Sequence, residues 1–389
     1  MYDHVDVSAS DVSLKSKFPV KVTAGLPSGG KLKLDGSVGP VDEGDSALTP
    51  VDAKLDVTSL NLASTGLLDP SLGLGGILNL NASLVSNNGE AETKGTAQLS
   101  KALLVAGGLP AAEPMRVDFD TQYDLRKNAG ILNPSTVTIG NAVSHLNGSY
   151  EQKGEETEVN AKITGENMPA KDLQAFLPAL GIRLPQGATL QGGTLSTNLN
   201  VVGPTDKLVT TGNVGLFGAK LAGFDLGSKM SSIAALGGVK SGKDLEIEKL
   251  TTNLKMAPTG LEANNFLAVV PAVGNLAGGG TIDSKNNLDF KMAATLGTSS
   301  LAGGAASPVA TGVGLLGRQG GGGCKTTSIP FLIKGTTSDP KFVPDVGGLA
   351  SSMLKSQLGC AAGAVPNGQS GQSQSPADAV SSLFGKKKK

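Results

Sequence analysis

Along most of the chain, apolar and polar residues alternate one for one. The clearest run is Met115–Leu125. Met115, Val117, Phe119, Thr121, Tyr123 and Leu125 fall on one side, and Arg116, Asp118, Asp120, Gln122 and Asp124 on the other. Side chains of a strand point alternately to opposite faces, so this pattern predicts a strand with one dry and one wet face, the habit of antiparallel sheets. Similar alternation predicts strands through Val20–Val22, Leu32–Leu34, Val51–Val57, Val137–Ile139, Leu146–Tyr150, Val159–Ile163, Leu288–Leu296 and Ile329–Ile333.

The chain is organised around Asn167–Leu221. Asn167-Met168-Pro169-Ala170-Lys171-Asp172 predicts a helix start, and Leu173, Phe176, Leu177 and Leu180 share one helical face. Pro178 disfavours helical geometry at Leu177 and limits the helix to two or three turns. After Gly192-Gly193, Leu195, Thr197, Leu199 and Val201 alternate with polar residues. The cluster Gly203-Pro204-Thr205-Asp206 turns the chain, and Leu208, Gly212, Val214 and Leu216 lead it back. An earlier stretch repeats this unit without a gap. Gly75-Gly76-Ile77-Leu78 matches Gly192-Gly193-Thr194-Leu195, Ala82 matches Leu199, Gly95 matches Gly212 and Leu99 matches Leu216, with Asn87-Asn88-Gly89 at the turn. Shorter echoes stand at Gly29-Gly30 and Gly279-Gly280. Units of this kind bury their apolar faces by stacking on neighbours.

These patterns predict a mostly β fold: an elongated, twisted antiparallel sheet of repeated units, curled into a groove, with a few short helices. The sheet region spans residues 1–355, with the internal repeat at 58–105 and 165–221 and a Gly/Ala-rich loop at 297–323. Residues 356–389 read as a low-complexity linker with a basic tail, Lys386–Lys389. A second helix is expected over Leu226–Leu236 and a third over Gly347–Leu358. A bulge is expected between Glu248 and Leu250, where the parity of the apolar positions reverses.

Composition narrows the picture. The 389 residues carry 55 glycines, no tryptophan, 3% aromatics and zero formal net charge. Glycine at this level serves turns and bulges, and the shortage of bulky residues argues against a thick globular core. A neutral chain without a basic stripe or stacking aromatics gives no expectation of nucleic-acid binding. Cys324 and Cys360 either close one loop around Ile329–Asp345 or are two unrelated small residues. No stretch reads as a signal peptide or a membrane-spanning helix.

The sequence argues against an enzyme and calls for no cofactor or metal. His4 and His145 have no neighbours at ligand spacing. Asp118, Asp120 and Asp124 form either a loose cation stripe or the solvated side of a sheet. Gly237–Lys243 has phosphate-loop spacing, but Asp244 stands where a magnesium-binding Ser or Thr is needed. What remains is the dry face. Either the sheet folds on itself as a sandwich, or it curls into a trough with an apolar floor. Such a floor suits acyl chains, which offer no hydrogen bonds. Its lining candidates are Val117, Phe119, Tyr123, Leu125, Leu195, Leu199, Val201, Val214 and Leu216.

Several motifs in order resemble the AsmA family of bacterial envelope proteins, in the family's C-terminal region. They include Leu26-Pro27-Ser28-Gly29-Gly30-Lys31-Leu32-Lys33-Leu34-Asp35-Gly36 and Ala219-Lys220-Leu221-Ala222-Gly223-Phe224-Asp225-Leu226. The fullest is Ile329-Pro330-Phe331-Leu332-Ile333-Lys334-Gly335-Thr336, followed by Asp339-Pro340-Lys341-Phe342-Val343-Pro344-Asp345. The resemblance implies a taco-like groove, as in bridge-like lipid-transfer proteins. It implies a periplasmic body anchored in the inner membrane, with a part in phospholipid supply and outer-membrane assembly. The partners implied are phospholipid acyl chains and envelope membranes or proteins. An alternative reading is a non-enzymatic periplasmic scaffold that regulates protein targeting to, or insertion into, the outer membrane. Family members begin with a transmembrane helix and further sheet. Met1 here leads straight into a strand pattern, so the expectation is a fragment, a split gene product or a mis-called start, without the family's anchor in this polypeptide.

Overall fold

The computed structural model describes residues 3–66, 68–230, 242–296 and 328–348. They form a single sheet of eighteen strands. In chain order these are β1 (Asp3–Ala9), β2 (Phe18–Leu26), β3 (Gly30–Val38), β4 (Val51–Asn61), β5 (Gly75–Asn87) and β6 (Glu90–Leu103). Then come β7 (Met115–Asp124), β8 (Ala129–Ile139), β9 (Ala142–Lys153), β10 (Glu156–Pro169), β11 (Thr189–Pro204) and β12 (Val209–Ala222). The last six are β13 (Asp244–Ala257), β14 (Gly260–Val270), β15 (Gly274–Asp283), β16 (Leu288–Leu296), β17 (Ser328–Gly335) and β18 (Pro340–Pro344). Each strand pairs antiparallel with the next in the chain. The sheet is an uncrossed meander, curled into an elongated groove and not closed into a barrel.

Local chemistry sets the turns and breaks. Between β5 and β6, Asn88 and Gly89 both take positive φ, 54° and 84°, as a two-residue primed hairpin turn requires. Pro134 sits inside β8, where a central strand would lose a ladder bond. The register against both neighbours shifts there, so the proline occupies a bulge. Ser135 closes the gap: its hydroxyl accepts from the Asp120 amide at 3.3 Å and donates to the Asn133 carbonyl at 2.8 Å.

The parity reversal between Glu248 and Leu250 is matched in the neighbouring strand. Phe217 pairs with Lys249 and Ala219 with Ile247, so the ladder passes over Gly218, at φ 59°, and Glu248 together. In β11 the ladder likewise passes over Gly193, at φ 73°, between Gly192 and Thr194. The corresponding strand of the repeat, β5, skips Gly76 between Gly75 and Ile77. Ala82 pairs with Gly95 as Leu199 pairs with Gly212, so the two repeated hairpins share register there, while the β5–β6 ladder shifts by one residue at Gly76 and the β11–β12 ladder keeps its register across Gly193.

The first helix is shorter than the sequence pattern predicts. Strand β10 runs on through Met168, which pairs with Leu195 and is buried, and Asn167 takes φ 51° in a bulge. Helix α1 covers only Ala170–Gln174, and a 3-10 turn at Leu177–Leu180 follows with Pro178 near its start. The proline breaks the α-helical ladder in two. Helix α2 covers Leu226–Lys229, capped by Asp225, whose carboxylate accepts from the Ser228 amide at 3.0 Å. The rest of the expected second helix, most of the third, the phosphate-loop lookalike, the Gly/Ala-rich loop, both cysteines and the C-terminal tail lie outside the described residues.

The sheet bends toward its apolar side. Cross-strand Cβ atoms usually lie about 4.5–5.5 Å apart. A Cβ added at Gly36 would stand 2.6 Å from the Ala53 Cβ, and one at Gly95 would stand 2.8 Å from the Ala82 Cβ. Both pairs face the apolar side, so curvature brings neighbouring strands together there, and glycine opposite alanine makes room for it. Gly95→Val is expected to lower stability by about 1–3 kcal/mol through overpacking. The readout is a lower urea midpoint at unchanged slope. An unchanged midpoint would show that the bend at this line carries no packing constraint.

Candidate functional site

Register connects the apolar positions of separate strands into continuous rows. Val7, Val22, Leu34, Leu55, Ala82, Gly95 and Phe119 are successive cross-strand partners. Beyond the β8 bulge the line resumes through Ser135, Leu146, Ile163, Leu199, Gly212 and Leu254. It ends through Ala263, Gly280, Phe290, Ile333 and Phe342. At roughly 4.8 Å per strand, the line is on the order of 80 Å long. Parallel lines flank it. One runs Leu32, Val57, Leu80, Ala97, Val117 and Val137. Another runs Met168, Leu195, Leu216, Leu250, Ala268, Leu276, Ala294 and Ile329.

Burial changes along this face. In the central line, Val22, Leu34, Leu55, Phe119, Leu146, Ile163, Leu199 and Leu254 are each only half-buried. They touch lateral neighbours and remain accessible from the open side. From β12 onward the same face joins a core, in which Leu221, Leu245, Ile247, Val270, Val273, Phe290, Met292, Phe331 and Phe342 are buried together with Leu226 and Met230, and the groove candidate Leu216 packs against it with Leu250. Phe331 and Phe342 stand with ring centroids 6.2 Å apart.

A second, smaller core sits at one end of β6–β8. Phe176 and Ala179 pack onto Ala102, Ala111 and Ile139, with Leu99, Leu104, Met115 and Leu173 around them. Backbone bonds fix this crossing segment: Leu104 donates to the Ala179 carbonyl at 3.0 Å and Leu109 to the Pro178 carbonyl at 2.9 Å. The segment after β10 therefore walls one end of the strands without roofing the apolar face between them.

Of the residues predicted to line a groove, Val117, Phe119 and Tyr123 are half-buried on the apolar face of β7. Leu195, Leu199 and Val201 hold the same face of β11, and Val214 and Leu216 that of β12. Tyr123 lies across Gly130 from Tyr150, their rings stacked at 5.8 Å. Leu125 leaves the row. Strand β7 ends at Asp124, whose carboxylate accepts from the Arg126 and Lys127 amides, both at 3.0 Å, and draws Leu125 into the turn. Sequence reasoning missed Leu146, Ile163 and Leu254 as groove positions, although each sits in an alternating run. Only the pairing register shows that they continue the line through Phe119 and Leu199.

The opposite face is laced with charge. Lys21 meets Asp35 at 3.6 Å and Lys94 meets Asp120 at 3.2 Å. Asp118 accepts from Arg116 at 2.7 Å and from Thr96 at 2.6 Å. Hydrogen bonds from Arg116 hold the Asp118 carboxyl below the usual range, and the Asn133 amide does the same for Asp120. The acidic residues of β7 are thus partnered, which favours a solvated face over a cation stripe. His145 is exposed on this face between Thr136 and Thr164. Among the described residues no helix is long and apolar enough to cross a membrane.

Comparisons with protein-family models, curated proteins and solved structures give no match for this chain.

Asp124 is held at about 2, first by the Lys127 side chain and then by the turn amides. Its unfolded value is about 3.9. A carboxylate with a depressed folded pKa stabilises above the unfolded value and loses that contribution as pH falls through the folded one. Asp124→Asn is therefore expected to unfold more easily than the parent at neutral pH, with the difference closing between about pH 4 and pH 2. Denaturant melts across that window check it. A gap that persists below pH 2 would assign the loss to something other than the carboxylate charge.

Proposed function

We propose that the concave apolar face holds phospholipid acyl chains, and that the protein works in envelope lipid transport and outer-membrane assembly as an AsmA-like protein. The observation that carries this reading is the largely apolar line across the sheet, interrupted at the β8 bulge and half-buried at most of its positions from β2 to β11. A mainly aliphatic face, with only scattered hydroxyls such as Thr121, Ser135 and Thr197, suits acyl tails, because burying a hydrogen-bonding headgroup there would cost free energy. The family motifs add the cellular setting: a periplasmic body between the inner and outer membranes. That part rests on the motifs alone.

A second reading, a non-enzymatic scaffold that regulates protein targeting to the outer membrane, draws on the sheet edges. Strand β1 carries no proline, and Val5 and Val7 are 58% and 68% exposed. An edge of this kind pairs readily with an added strand. At the other end, Pro340 and Pro344 bracket the short β18.

Native mass spectrometry with lipid extraction separates the two readings. Protein purified from a bacterial envelope is expected to carry phospholipid. A Phe119→Asp, Leu199→Asp variant, checked for retained β structure by circular dichroism, is expected to lose most of it. Lipid-free parent protein, or equal lipid in parent and variant, would overturn the groove reading.

A further inference from the structure

The polar face carries a feature that the lipid reading does not use. Over β11, β12 and β13 the cross-strand partners form three short rows: Asn198–Asn213–Asn253, Ser196–Gly215–Thr251 and Thr194–Phe217–Lys249. The Phe217 ring covers Gly215 at the centre, and a shallow, open hollow of about 480 Å³ lies over the patch around it. Elsewhere the same face is dominated by ion pairs. Here the floor and walls are amides and hydroxyls, with Glu166 and Lys249 at the margin.

Two details define what the hollow can hold. First, the Asn213 amide donates through Nδ2 to Oδ1 of Asn253 at 2.6 Å. That bond leaves the Asn213 oxygen as an acceptor beside the Asn253 nitrogen as a donor. Adjacent hydroxyls on a sugar ring each both donate and accept, so one such pair satisfies both groups. Second, Phe217 is 37% exposed, and its ring folds back over Gly215: a Cβ there would lie 2.8 Å from Cε2. The ring adds an apolar surface beside the amides, against which the C–H side of a pyranose packs. A few directional polar groups next to an apolar surface is the usual make-up of a small-ligand site. A larger hollow, about 650 Å³ at the turn end of β6–β10, has a mixed lining, with Tyr123, Tyr150, Ile131 and Val159 beside ion-paired groups such as Lys127 on Asp124 and Lys153 on Glu151.

We propose that the hollow beside Phe217 is a binding site for a neutral oligosaccharide, with Asn213 and Asn253 reading hydroxyl or N-acetyl groups and Phe217 supporting the ring. It lies on the opposite face from the apolar groove, so it stands or falls independently of lipid binding.

The test is saturation-transfer NMR and calorimetric titration of the full chain with chitotriose and maltotriose as probes. Saturable binding of at least one is expected, with a Kd on the order of 1 mM or tighter. Phe217→Ala and Asn213→Ala are each expected to weaken it about tenfold or more. Asn253→Asp keeps the side-chain shape but removes the donor, so it tests the amide pair without a packing change. Lipid content is expected to be unchanged in all three. Absence of saturable binding to both probes would overturn the proposal, as would equal binding by parent, Phe217→Ala and Asn253→Asp.

Discussion

A sheet one layer thick leaves one apolar face with no second sheet to bury it. In this chain the constraint is met by register. Because side chains alternate with a period of two, a slip of one residue in any hairpin would turn that strand's apolar set outward. Each ladder is therefore tied to the next, and the row from Val7 to Phe342 exists because every strand keeps its phase with its neighbour. Where one strand shifts phase, its partners shift too, as at Gly193, Gly218 and Glu248.

The bend of the sheet follows from the same demand. An apolar face that cannot pack against another layer reduces its exposure by curling around itself. The glycine–alanine pairs at Gly36–Ala53 and Gly95–Ala82 allow adjacent strands to close on that side. Larger residues take over past β14, where Phe290, Phe331 and Phe342 turn the face into an ordinary core. The outside of the bend is left for solvent. Its Lys–Asp pairs are exposed and each contributes little, but together they keep the convex surface wet and the register unambiguous.

Much of this was legible in the residues. The alternation in Met115–Asp124 gives β7, the Asn88-Gly89 turn gives the β5–β6 hairpin, and the matching spacing of glycines shows that the β5–β6 and β11–β12 hairpins are versions of one unit. Periodicity fell short at two proline sites. The strand patterns stop at Ile333 and do not include β18, whose Pro340 and Pro344 are tolerated because among the described residues it is an edge strand, with a side that has no ladder bond to lose. Met168-Pro169 looked like a helix start, yet cross-strand pairing of Met168 with Leu195 holds those residues in β10. Leu125 was read one position too far, because the pull of Asp124 on the turn amides is a local hydrogen-bond effect invisible to hydrophobic periodicity.

The candidate groove divides in the same way. Which residues are apolar and which face of its own strand each occupies were fixed by the order of side chains, since the two-residue period belongs to the extended backbone itself. Which strands lie side by side, and so whether Phe119, Leu146 and Leu199 stand in one line, depended on pairing between distant segments. So did the packing that leaves most of this line half-buried up to β11 and gathers Phe290 and Phe342 into a core beyond it. A hollow such as that beside Phe217 arises only when three strands bring their polar side chains together around one aromatic ring. Local sequence carries no record of such a neighbourhood, because its members, from Ser196 to Asn253, meet only through the ladders of the folded sheet.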